Sequence, residues 1–319
     1  MATQLERLEE LLSQQERSIQ RAFNEFIASV NDETVIARLV ALVEAGRVDD
    51  ALAIIDTYVA RFADVLPRIQ QTVGAATALE LSELASEYIF GIGFDPSHPR
   101  AATFARANRL ELVRQFTEEQ RVATRQALGR AFEQGTGTAG TARAFRNSIG
   151  LTRGQEAWVA SFENRLRALD ARALGMELRN HRWDKTILRA IQRRRPLTER
   201  QIEMMTRNYR LRALMYRSEM IARTEALRAT SAARHEAMLQ MMGMTNIPPE
   251  RVRRKWNYTR DERVRDHHAN MRVDRAGVDE NFVDGLGNEL LWPGDPAAPP
   301  ETTIHCRCTV TYSILPPPK

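Results

Sequence analysis

QIEMMTRNYRLRALMYRSEMIARTEALRATSAARHEAMLQMM, residues 201–242, is the stretch that decides the architecture. Met205, Leu214, Met220, Ile221 and Leu227 give it apolar side chains to pack, so it reads as the strongest long helix of the chain. Thr198-x-x-Gln201 is a capping-box start, Gly243 a stop, and Pro248-Pro249 forbids continuation. A chain built around such an element is mainly α-helical.

Working back from it, the pattern stays helical. Helices are expected over 2–27, from Thr34 to Ala45 between the start signal Asn31-Asp32-Glu33 and the stop Gly46, from Asp49 to Phe62, and from Ile69 to Phe90. Gly91 to Pro99 is punctuation. Thr117-x-x-Gln120 and Thr152-x-x-Gln155 mark two further starts, the first leading to a helix that ends near Gln134 and the second to one reaching Leu178. Gly135 to Gly140 lacks both a Gly-Lys-Ser/Thr ending and a preceding strand, so it is a helix connection and not a phosphate loop. Arg193-Arg194-Arg195-Pro196 ends another helix.

Working forward, the composition changes after Pro249. Val252 to Tyr258 alternates as a strand, with Val252, Arg254, Trp256 and Tyr258 on one face. A short helix is expected over Arg263 to Met271, an ordered loop over Asp274 to Pro300, and a last strand over Cys308 to Ile314. The fold expected is therefore mainly α: a multi-helix body with a small C-terminal α+β cap. Its parts are an acidic helical arm or bundle (1–95), a basic helical body (100–245) and a Cys/His-containing cap (246–319).

The charge is split along the chain. Residues 1–100 hold 8 Arg and no Lys against 16 acidic residues, whereas residues 101–319 hold 38 basic against 25 acidic. Two faces with different partners follow, the basic one suited to non-specific contact with phosphate charge. No run approaches the ~18 apolar residues of a membrane span, and the start carries no signal-peptide pattern, so synthesis in a cytoplasm is expected.

The chemistry concentrates near the end. Cys306 and Cys308, the only cysteines, sit in His305-Cys306-Arg307-Cys308-Thr309. Side chains at i and i+2 of a strand share a face, while a disulfide between them would close a strained ring. Both thiols thus suit a shared partner, and Zn2+ takes four Cys, His or carboxylate ligands. His268 is the natural third ligand and Asp261 a fourth, with His305 and His267 as alternates. Two other readings compete: buried thiols with His268 simply hydrogen bonding, and a catalytic metal with Glu262 or Asp266 as base. Arg223 can pair with Glu219, and Trp256 is a core anchor.

The series Ile221-Ala222-Arg223-Thr224-Glu225, Trp256, Asp261-x-Arg263-x-Arg265-x-x-His268, Pro293-Gly294-Asp295-Pro296 and Cys306-Arg307-Cys308 resembles the phage head morphogenesis family, also described as phage Mu F-like minor head proteins. The resemblance spans roughly 117–312, and His305 departs from its pattern. It implies that Arg223, Thr224, Glu225, Trp256, Arg263, Arg265 and Arg307 lock the cap to the long helix as a structural clasp. It implies a non-enzymatic minor structural protein of a tailed bacteriophage, associated with portal protein and other head proteins in the virion near the portal vertex. Such a protein acts in capsid assembly and DNA packaging or ejection, touches packaged DNA without specificity and meets no membrane. The rival function is a metal-dependent nuclease or hydrolase using Asp261, Glu262 and His268.

Overall fold

The structure, a computed structural model, describes residues 3–84, 93–133, 135, 137–245, 247–260, 262 and 264–316. In chain order its helices are α1 (Gln4–Val30), α2 (Glu33–Glu44), α3 (Val48–Ala63), α4 (Val65–Leu84), α5 (Pro99–Glu133), α6 (Gly137–Ser148), α7 (Arg153–Arg167), α8 (Asp184–Gln192) and α9 (Glu199–Thr245). Then come β1 (Val252–Asn257), α10 (Asp266–Ala269), β2 (Arg275–Ala276), β3 (Phe282–Val283), β4 (Glu289–Leu290), α11 (Pro300–Thr303) and β5 (Thr309–Ile314). The fold is mainly α with a small α+β cap, as the sequence indicates.

Several boundaries differ, each for a local reason. Thr117 lies inside α5, because residues from Pro99 onward are already helical; its partner Gln120 is buried and bonds the Ser148–Gly150 turn. The helix expected to reach Leu178 ends at Arg167: Leu169 takes a positive φ of 52°, and Asp170 caps a separate 3-10 turn. α9 runs through Gly243 to Thr245. Its Thr198–Gln201 box and the Thr152–Gln155 box of α7 both form. The helix expected over Arg263 to Met271 is only α10, and the expected loop over 274–300 contains β2, β3 and β4. Tyr258 lies beyond β1 and is exposed. The end of the helix expected to reach Phe90 and the start of the punctuation that follows lie outside the described residues.

By packing, the chain divides into two units interleaved along the sequence. One comprises Met1–Phe23, Phe62–Leu112 and Glu219–Lys319, the other Asn24–Arg61 and Val113–Ser218. In the latter, Leu151, Val159, Phe162, Ile187, Met205 and Tyr209 share a core in which Phe162 and Tyr209 stack at 4.5 Å. Arg217, 4% exposed, donates to Gly150 O (2.8 Å) and to Glu119 (2.8 Å) and lies 4.2 Å over Phe116. Burial pulls its pKa down to about 10. Gly150 has φ +84°, and a Cβ there would strike Ile27 and Leu214, so glycine is required at this turn.

The other unit contains the cap. Ala78 and Leu81 of α4 and Leu227, Ala237, Met238 and Met241 of α9 share one core with Val252, Trp256, Phe282 and Val310. The antiparallel sheet runs β2-β1-β5, with Val252 opposite Ile314 and Asn257 opposite Thr309. Gln4 accepts a bond from the Tyr312 backbone N–H at 2.9 Å, tying α1 to β5. α4 is held to α9 by a bidentate pair, Arg234 to Glu80 at 2.8 and 3.0 Å, both buried.

Two outcomes follow from this unit. Glu80→Leu strands the Arg234 charge and is expected to cost ~3–5 kcal/mol in urea unfolding, with much of the loss recovered by the Glu80→Leu/Arg234→Met double variant. His235 packs 5.0 Å from Trp292, and burial, aided by Arg254 and Arg100, pushes its pKa down to about 3. The unfolded chain therefore binds a proton here below pH ~6.5 that the folded chain refuses until about 3. Stability from this group is complete above that window and falls with pH inside it, by up to ~1.4 kcal/mol per pH unit. His235→Gln should flatten the acid limb of stability against pH relative to wild type.

Candidate functional site

Strand β5 and the segment before it bring the two thiols back to α10. His268 is 1% exposed and each cysteine 2%. His268 Nδ1 lies 3.5 Å from Cys306 Sγ and 3.5 Å from Cys308 Sγ, and the Cys308 backbone N–H points at Cys306 Sγ at 3.4 Å. Both cysteines are free thiols. The pair titrates together: Cys306 is drawn well below the usual thiol range by the Cys308 thiol and then by His268, while Cys308 is raised by Cys306 and by burial. One sulfur thus ionises readily at the expense of the other. Trp256 meets the His268 ring edge-on at 5.4 Å and the Phe282 ring at 5.3 Å, which makes it the anchor expected of it.

The remaining expected residues divide. Thr224 Oγ1 accepts the His305 backbone N–H at 3.0 Å, and Arg223 Nη1 sits 3.2 Å from His305 Nε2. Arg223 also reaches Glu219 (3.6 Å), as its spacing predicts, and Glu16 (3.5 Å). Arg265 donates to the Ile304 carbonyl. These contacts hold the chain just before Cys306, with His305 itself at φ 59°. His305 is turned to Arg223 and is absent from the His/Cys groupings among the described residues. Glu225 stays on its own helix, paired with Arg228 at 3.1 Å, its carboxyl pKa raised by burial. Arg307 is half-buried. Asp261 and Arg263 lie outside the described residues. Glu262 and Asp266 are exposed, unlike the buried thiols.

Two residues central to the site, Arg254 and Asp284, carry no motif in the sequence. Arg254 is 1% exposed, and its guanidinium donates to Gly277 O (2.8 Å), to Leu291 O and to Glu280 O, lying 4.9 Å over the Phe282 ring. One side chain thereby gathers three points of the segment 277–291, from just after β2 to just after β4. Asp284 is fully buried and accepts from the backbone N–H groups of Leu286 (2.9 Å) and Asn288 (2.8 Å) and from the Asn288 amide (2.9 Å). Burial works to raise its pKa, but those hydrogen bonds outweigh it and the net shift is downward. His267, one of the two alternate ligands named from the sequence, lies beside His268, their ring centroids 4.6 Å apart. Its Nε2 is 3.8 Å from Asp284 Oδ2. Gly285 makes this approach feasible: a Cβ there would sit 2.9 Å from Asn270 O and 3.1 Å from His267 Cα.

Residues 197–311 match the family model described as phage Mu protein F like protein. The match runs from the start of α9 into β5 and includes Arg223, Thr224, Trp256, His268, Cys306 and Cys308, so it bears out the resemblance to the phage head morphogenesis family. Over 98 residues the chain is also 29% identical to the uncharacterized protein YqbB of Bacillus subtilis (strain 168), covering 30% of this chain and 30% of that protein's length. No solved structure gives a significant match.

Arg254→Met removes the donors to three carbonyls, Gly277, Glu280 and Leu291, at nearly constant volume. It is expected to cost ~3 kcal/mol or more and to open residues 277–291 to limited proteolysis before the helices unfold.

Proposed function

We propose that this chain is a minor structural head protein of a tailed bacteriophage, associated with the portal and acting in capsid assembly and in DNA packaging or ejection. The observation that carries the reading is the phage Mu F-like match, which covers the segment folded into the cap and held by Arg223 and Thr224. Its partners are portal protein and other head proteins, and its place is the virion capsid near the portal vertex, reached from the host cytoplasm during assembly. No helix among the described residues is long and apolar enough to cross a membrane.

Contact with packaged DNA has a physical basis in the unit of Asn24–Arg61 and Val113–Ser218. A cavity of ≈ 820 Å3 is lined there by Arg130, Arg143, Arg167 and Arg210 against Glu156 and Glu163. A neighbouring hollow shares Arg130 and adds Arg165 and Arg172. Such a surface tolerates phosphate charge without reading sequence. The hydrolase reading is weaker, because the thiols and His268 are buried while Glu262 and Asp266 are exposed.

The test is co-expression of the tagged full-length chain with the portal and scaffold of its phage, followed by isolation of procapsids and mass spectrometry. Retention in procapsids and loss from particles assembled without portal is the expected result. Equal incorporation without portal overturns the portal assignment. DNA hydrolysis by the purified chain, abolished by His268→Ala with stability unchanged, would replace the structural reading by the enzymatic one.

A further inference from the structure

We propose that Cys306, Cys308, His268 and His267 form a closed structural Zn2+ site, with Asp284 as the carboxylate that orients His267. The proposal rests on the cap alone and does not depend on where the protein acts.

The geometry fits the metal closely. Bonds of ~2.3 Å to sulfur and ~2.0–2.1 Å to nitrogen, at a tetrahedral angle, put ligand sulfur and nitrogen about 3.6 Å apart. The two observed separations from His268 Nδ1 are both 3.5 Å. Hydrogen bonding alone accounts poorly for them, because a single Nδ1 faces two thiols and can share one proton at a time. The ligand atoms of His268, Cys306 and Cys308 all lie within 4.8 Å of one another, and all three residues are buried. Among the described residues, His268 Nε2 is buried with no hydrogen-bond partner, and so is His267 Nε2. Without a cation, this cluster takes two thiols and two imidazoles out of water with little in return.

The fourth position goes to His267 because of what surrounds it. The ligand atoms of His267, His268 and Asp284 form a second group within 4.8 Å, whereas His267 stands outside the group of His268 with the thiols, so its ring turns toward the sulfurs to take the fourth position. Asp284 is held by its bonds to Leu286 and Asn288, so its Oδ2, 3.8 Å from His267 Nε2 and just beyond hydrogen-bond distance, is a fixed carboxylate that this nitrogen reaches with a small turn of the ring. This leaves Nδ1 of His267 for the metal, an arrangement in which a carboxylate fixes the ring of a ligating histidine. Two thiolates carry two negative charges, which one Zn2+ neutralises inside the buried core.

The experiment uses the full chain purified under reducing conditions without added metal. Elemental analysis is expected to give about one zinc per chain, and Co2+ exchanged into the site should show intense visible d–d bands with a thiolate charge-transfer band sized for two sulfurs. Cys306→Ser should lower affinity at least a hundredfold and reduce that band to one sulfur. His267→Ala should keep both sulfurs but weaken affinity by tenfold or more and shift the d–d bands as water enters. Absence of zinc, together with no uptake of Zn2+ or Co2+ by folded wild-type protein (circular dichroism unchanged), overturns the site. Unchanged affinity and spectrum in His267→Ala overturn the assignment of the fourth ligand.

Discussion

The antiparallel pairing of Val252–Asn257 with Thr309–Ile314 is the constraint on which the cap depends. It closes a loop of about fifty residues, which costs configurational entropy that grows slowly with length. Burial of Val252, Trp256, Val310 and Tyr312 against α4 and α9 offsets that cost. Because side chains alternate along a strand, the register leaves no freedom in which residues face inward. Once Trp256 stands opposite Val310, the thiols preceding β5 arrive beside the ring that Trp256 supports.

Arginine does much of the internal fastening. Arg254 gathers a loop through carbonyl oxygens, Arg234 joins two helices through a carboxylate, and Arg223 reaches the turn at His305. The planar guanidinium, always charged, serves several acceptors at once with five donors in a fixed fork, against the three donors of a lysine ammonium. The near absence of lysine from the sequence therefore has structural consequences in the cap, beyond what net charge alone conveys. Basic residues counted as a nucleic-acid signal include some that never reach solvent.

Much of the framework was legible in residue pattern. The long helix, the alternating strand at Val252, the return strand at the end and the meeting of His268 with both cysteines follow from periodicity and from the chemistry of soft ligands. What was not legible depends on tertiary contact. Thr117 has the spacing of a helix start, yet residues ahead of it continue the helix, and nothing local reports that. Arg254 looks like any inward strand residue; its role exists only because three carbonyls from distant positions converge on it. Asp284 sits in a Gly/Asn-rich turn where aspartate is commonplace, and its proximity to His267 arises from a backbone approach that Gly285 alone permits.

The two thiols are sealed inside the cap against His268. The rate of thiol modification by a small aqueous reagent tests this most directly, followed in native protein and across a urea titration. Cys306 and Cys308 are expected to resist modification natively and to become reactive together, at the transition in which the β1–β5 pairing is lost. Rapid modification of either thiol in the folded protein, or reaction of one well before the other, would contradict it.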